Sequence, residues 1–135
     1  MFKNIVMALF LMLPQLVSAQ AKETNIHAST TIGNQSRFEI VQSPLAARWT
    51  FRLDRVCGHV GQLVSTKNGG VTWENMLIMA LPNCQQDGKI RYQIFSSGIA
   101  ARYTFLMNTE TGKTWQIRSA KDPNGTEVST WFLFE

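Results

Sequence analysis

The sequence predicts an all-β protein: about eight short antiparallel strands in two pseudo-symmetric four-stranded halves, closed as a barrel or packed as a sandwich. Three observations predict it. Residues 37–64 and 91–118 align without gaps at an offset of 54, with ten identities in twenty-eight positions: Arg37/Arg91, Ile40/Ile94, Ser43/Ser97, Ala46/Ala100, Ala47/Ala101, Arg48/Arg102, Thr50/Thr104, Phe51/Phe105, Gly58/Gly112 and Gln62/Gln116. Within each copy, large apolar residues alternate with polar ones, the period of a half-buried strand. Beyond residue 36 no stretch sustains a helical period, residues 74–81 being the one place where a short helix is compatible with the pattern. Two copies are too few for a solenoid, which needs at least three. They read instead as halves of one domain, residues 37–135, with repeats at 37–81 and 91–135.

The chain opens on MFKNIVMALFLMLPQLVSA, residues 1–19: one early lysine, an apolar run from Ile5 to Val17, and small residues at its end. This pattern predicts a secretory signal peptide, cut before Gln20 or after Ala21. Pro14 interrupts the run, and its apolar length falls short of the ~20 residues of a spanning helix, so no membrane span is expected in the mature chain. Residues 20–36, QAKETNIHASTTIGNQS, show neither strand nor helix period and read as a flexible leader. His27 within it is a solvated bystander on that reading.

In each half the first strand opens on an aromatic, Phe38-Glu39-Ile40 and Tyr92-Gln93-Ile94. A second strand follows in which Trp49, Phe51 and Leu53 share one face, and Tyr103, Phe105 and Met107 repeat the arrangement. Next comes an Asx residue followed four positions later by glycine, Asp54 to Gly58 and Asn108 to Gly112, which is hairpin chemistry. The returning strands are Gln62-Leu63-Val64 and Thr114-Trp115-Gln116-Ile117. Turns at Asn68-Gly69-Gly70 and Pro123-Asn124-Gly125 lead into last strands around Val71-Thr72-Trp73 and from Val128 to Phe134.

Cys57 and Cys84 are the only cysteines. In an exported chain they predict one structural disulfide that pins the first half's hairpin turn to the connector between halves. Cys57-Gly58-His59 also raises a nucleophile or metal pair, but two candidate ligands fall short of the three that a zinc site needs. Removing the signal takes away Lys3, leaving 12 lysines and arginines against 9 acids. That mild surplus is spread along the chain with acids between, unlike the clustered stripe of a nucleic-acid binder.

Catalysis needs a nucleophile with its base, two placed carboxylates, or a metal cage, and the pattern contains none of them. No cofactor is implied. A small hydrolase remains the least favoured reading, since two carboxylates can meet only in the fold. Two candidate binding surfaces stand out. One is the duplicated polar face: Arg48, Thr50 and Gln62 with their counterparts Arg102, Thr104 and Gln116, facing outward if Leu63 and Ile117 face inward. Paired Arg-Thr-Gln patches would suit an anionic or carbonyl-rich ligand, a small molecule or a glycan; the plainer reading is a pair of solvated sheet faces. The other is Phe95 with Leu106, both in the outer phase of their strands where the first half has Val41 and Arg52, an apolar patch of the kind that meets a partner protein. Trp73, Trp115 and Trp131, with Phe132 and Phe134, could form a sugar or peptide platform, but large aromatics at alternating strand positions suit the core better. The function expected is therefore a secreted or periplasmic non-catalytic module that binds another protein, as an inhibitor, an immunity factor or a component of an envelope assembly.

Overall fold

The structure, a computed structural model, describes residues 33–134; the expected signal peptide, and the leader up to residue 32, lie outside them. Eight strands form in chain order: β1 (Phe38–Ser43), β2 (Ala46–Asp54), β3 (Val60–Ser65), β4 (Val71–Asn75), β5 (Tyr92–Ser96), β6 (Thr104–Asn108), β7 (Thr114–Lys121) and β8 (Glu127–Phe134). They make two four-stranded antiparallel meanders, β1-β2-β3-β4 and β5-β6-β7-β8. The two ladders stay separate, so the body is a sandwich and not a closed barrel. No helix occurs among the described residues.

The hairpin turns form as their residues dictate. The Asp54 carboxylate accepts the N–H groups of Val56 and Cys57 at 3.0 and 3.2 Å, and the Asn108 side-chain oxygen accepts those of Glu110 and Thr111 at 3.0 and 3.1 Å. Gly58 and Gly112 then take the left-handed conformation, φ 79° and 74°, which costs a residue without a Cβ little.

The register repeats as faithfully as the sequence does. Ile40 lies opposite Arg52, as Ile94 lies opposite Leu106; Phe51 opposite Gln62, as Phe105 opposite Gln116; Leu63 opposite Trp73, as Ile117 opposite Trp131. The burial does not repeat. In the first sheet Val41, Phe51, Leu53 and Val60 point into the core, whereas in the second the core takes Tyr92, Ile94, Leu106, Trp115, Ile117 and Trp131. These are the positions that in the first sheet face outward. Two units of one design are thus stacked front to back instead of face to face.

This corrects the expected outward positions of Leu106 and Thr104, both of which are 0 % exposed. It equally corrects the inward positions expected for Phe105 and Met107. The cause lies in strand pairing. β6 is apolar at three consecutive positions, Phe105-Leu106-Met107, so its own pattern does not choose a face. β7 chooses, because Trp115 and Ile117 alternate with Thr114, Gln116 and Arg118, and its register sets Leu106 between Ile94 and Trp115. Gly61 stands at the position of Trp115 in the first half, where Arg52 replaces Leu106. With no bulk there, the opposite face of that sheet is the one worth burying.

The connector is a built part of the fold. Residues 74–81 form no helix: β4 ends at Asn75, and residues 77–79 then lie parallel along the edge of β8, with Trp131 N–H donating to the Leu77 carbonyl at 3.0 Å and Met79 N–H to the Trp131 carbonyl at 2.9 Å. The Trp115 indole donates to the Met79 carbonyl at 2.8 Å, which satisfies a polar atom at the edge of the core. Cys57 and Cys84 are joined as expected, Cα atoms 4.6 Å apart. Beside them the Arg55 carbonyl accepts both Arg91 N–H and Tyr92 N–H, at 2.8 and 2.9 Å, and so ties the first hairpin turn to the start of the second half.

Candidate functional site

An antiparallel sheet with one face in the core ordinarily turns a polar face to water. Both sheets here also carry large apolar side chains on that face. On the second sheet, pairing places Phe95, Phe105, Gln116 and Phe132 in one row of the outer phase, with Gln93, Met107, Thr114 and Phe134 in the next. Phe95 is 61 % exposed, Phe134 47 % and Met107 38 %. The Phe105 and Phe134 rings meet edge to face at 5.6 Å, so the surface is a preformed aromatic floor with glutamines and a threonine among its residues. On the first sheet the outer phase carries Phe38, 54 % exposed, and Ile40, 42 %, with half-buried Leu63 and Trp73. Arg52 lies over the Trp73 ring at 5.2 Å, and Arg37 over Phe38 at 5.2 Å. Large apolar side chains thus stand exposed on the outer face at either end, though the first sheet's face also carries Gln42, Thr50, Arg52 and Asn75 in the same phase.

Of the residues singled out from sequence, Phe95 sits where it was expected, and Leu106 does not join it. Its surface companions are Phe105 and Met107, which the strand phases had hidden, and Phe134. The six polar candidates do not form two equivalent grips. Gln62 is opposite Phe51, hence on the inner phase of its sheet, while Leu63 turns outward. Thr104 is buried and spends its hydroxyl on the Ala101 carbonyl at 2.7 Å, with Ser96 Oγ at 3.1 Å. Gln116 donates to the Arg102 carbonyl at 3.1 Å and accepts from Arg118 at 2.9 Å. Arg102 is exposed and stacks on Tyr103, 5.0 Å from the ring centroid. Thr50 is half-buried opposite Gln42; the Arg48 side chain lies outside the described ones.

A cleft of about 710 Å3 opens where the sheets part, lined among others by Trp49, Gln62, Glu74, Met76, Lys121 and Ser129. Its size falls in the range of ligand pockets, roughly 300–1,000 Å3. Among the described side chains of the Arg-Thr-Gln set, Gln62 alone reaches it.

The shifted carboxyl groups are structural anions. Burial alone would raise the Asp54 pKa, but the Arg37 hydrogen bond, the Cys57 and Val56 N–H groups and the Arg37 charge together hold it below the usual carboxylate range. Arg91 bonds Asp87 and Lys89 bonds Glu110, each lowering its partner's pKa, and Arg91 bonds Glu110 as well, at 2.7 Å. A general acid needs the opposite shift. Asp54, Cys57 and His59 bring ligand atoms within 4.8 Å of one another. The Cys57 sulfur is taken by Cys84, however, and the Asp54 carboxylate by Arg37. No protein-family model matches the chain, and no curated protein or solved structure matches it either. Its surfaces alone carry the functional reading.

Proposed function

We propose that the chain is an exported, non-catalytic module that binds protein. Residues 1–19 direct export and are removed near Ala19 or Ala21, and the folded body works in the periplasm or outside the cell as an inhibitor, an immunity factor or a component of an envelope assembly. The observation that carries this reading is the aromatic outer face of the second sheet, Phe95 with Phe105, Met107 and Phe134. A surface of this composition on a rigid sheet binds with little ordering cost, because its side chains are already held by their strands. The joined cysteines fit an oxidising compartment, and no helix of the described residues is long and apolar enough to cross a membrane.

The test places a photoreactive benzoylphenylalanine at position 95 in the cell that makes the protein, with the exposed turn residue Asn124 as the control position. Irradiation is expected to give a discrete protein adduct from position 95 and none from position 124. Absence of any protein adduct at position 95 would refute the reading. A second reading, a small ligand or glycan held in the cleft, draws on the Trp49 wall beside Gln62 and Glu74. It predicts that a Trp49→Ala variant loses a ligand while a Phe95→Asp variant keeps it, a difference readable by calorimetric titration with oligosaccharides.

A further inference from the structure

We propose that the partner is a second copy of this chain, stacked so that the outer face of its first sheet covers the outer face of its neighbour's second sheet. The inference rests on the reading that the second sheet's outer face recognises protein. What it adds is the occupant, and the molecule itself supplies the argument.

The two sheets share connectivity and register, and they are packed front to back. The contact between the halves is therefore a filled example of the pair of faces that the molecule leaves open at its ends. Phe95, Phe105 and Met107 of the open face stand where Val41, Phe51 and Leu53 stand in the covered one. At the other end Phe38, Ile40, Leu63 and Trp73 stand where Tyr92, Ile94, Ile117 and Trp131 are buried. A second copy can repeat between molecules the stacking that already exists within one. Such a contact joins two different faces, so each added copy presents a fresh one, and the assembly grows as an open chain or closes as a ring. Stacked units that stop growing usually do so by a polar outer cap. The second sheet's face, with Phe95, Phe105, Met107 and Phe134, is no such cap, and the first sheet's face sets Phe38, Ile40, Leu63 and Trp73 among Gln42, Thr50, Arg52 and Asn75.

The open faces differ from the covered ones in ways that set the strength. Arg52 replaces Leu106, Gly61 replaces Trp115 and Thr114 replaces Val60. One large ring and two aliphatic groups are lost, and a guanidinium must leave water. The contact between copies is then weaker than that between halves and reversible, with Arg52 as its main restraint.

Sedimentation velocity on the oxidised protein, as isolated from the expressing cell, tests this from about 1 μM to about 1 mM, the range of weak association. The average mass is expected to rise with concentration without stopping at a dimer. Phe95→Asp blocks one end and Ile40→Asp the other. Each variant alone stays monomeric, whereas an equimolar mixture forms a dimer and nothing larger, because one intact pair of faces remains. Met107→Asp and Phe38→Asp serve if either variant loses its cooperative thermal transition. Arg52→Leu, which installs the residue found at the equivalent buried position, shifts assembly to about ten-fold lower concentration. A wild-type chain that is monomeric throughout overturns the inference, and so does a dimer that Phe95→Asp abolishes while Ile40→Asp leaves it intact. If a position-95 adduct to a different protein accompanies monomeric behaviour, the recognition face stands and the second copy falls.

Discussion

Gly58 and Gly112 hold equivalent turns, yet their surroundings differ. Both have positive φ, but a Cβ on Gly58 would lie 2.7 Å from the Tyr92 ring, while one on Gly112 would meet nothing within 4 Å. Gly112→Ala is expected to cost about 1–2 kcal/mol for the left-handed backbone alone. Gly58→Ala should cost a further ~1–3 kcal/mol, because Tyr92 is held between strand pairing and the Arg55 carbonyl and has little room to retreat. Urea unfolding of the two variants measures the difference, and equal losses would mean that the ring moves freely. Asp54 offers a second residue-level test, since the equivalent Asn108 already shows that an amide can cap the turn. The folded Asp54 titrates below its unfolded value of about 3.9, so the Arg37 pair stabilises the native state fully above that value and is lost as pH falls through the folded pKa. Asp87 and Glu110 act in the same direction. Stability should therefore decline as pH drops from about 5 toward 2. Asp54→Asn should flatten part of that slope while keeping the turn, and Asp54→Ala should cost about 1 kcal/mol more through the lost cap.

At the level of the strand, β6 decides which surface the protein shows. Leu106→Ala is expected to cost about 2–5 kcal/mol, since the side chain is fully enclosed between Ile94 and Trp115. Met107→Ala, one position along and in the outer phase, should cost less than about 1 kcal/mol. Denaturant midpoints that ranked the two the other way would reverse the assigned faces. The eight strands and the turns that join the second, third and fourth strands of each half were legible in the sequence, because Asp54, Asn108 and the turn glycines mark hairpins independently of what lies above or below the sheet; the pairing of residues 77–79 along β8 was not. The face was legible only where one strand carried a single apolar phase, as β2 does with Phe51 and Leu53 against Arg52. β6 is apolar on both phases, so its orientation is borrowed from β7 through register, and the duplication argues for the wrong side. Gln62 misleads for a related reason. It points inward at the end where the sheets part, and there it lines the cleft and not the closed core. Phe95 could be found because the residues beside it in its strand, Gln93 and Tyr92-Ile94, separate cleanly by phase. Phe105 and Met107 could not, and Phe134, one of several aromatics that a platform could use, looks more like core from the sequence.

Taken whole, the molecule has one core drawn from both sheets. Phe51 of the first meets Trp131 of the second edge to face at 5.6 Å, and Met76 and Ile78 of the connector pack against the same cluster. Neither half can bury its apolar inner face alone, and the front-to-back arrangement gives each a different face to bury. Unfolding should accordingly be a single transition, with calorimetric and van't Hoff enthalpies equal. The disulfide acts on that transition chiefly through the unfolded chain: joining residues 27 apart removes conformational freedom worth about 3.5 kcal/mol. Domains of this size hold a total margin of roughly 5–15 kcal/mol. The paired substitution Cys57→Ala and Cys84→Ala should lower the midpoint substantially and leave one transition, because the hydrogen bonds from Arg91 and Tyr92 to the Arg55 carbonyl still tie the halves together. Two separable transitions in that variant would mean that the sulfur link, and not the shared core, makes the sheets one body. The stacking of one molecule upon another could not then be inferred from the stacking within it, because the template would owe its existence to a covalent tie that two separate chains lack.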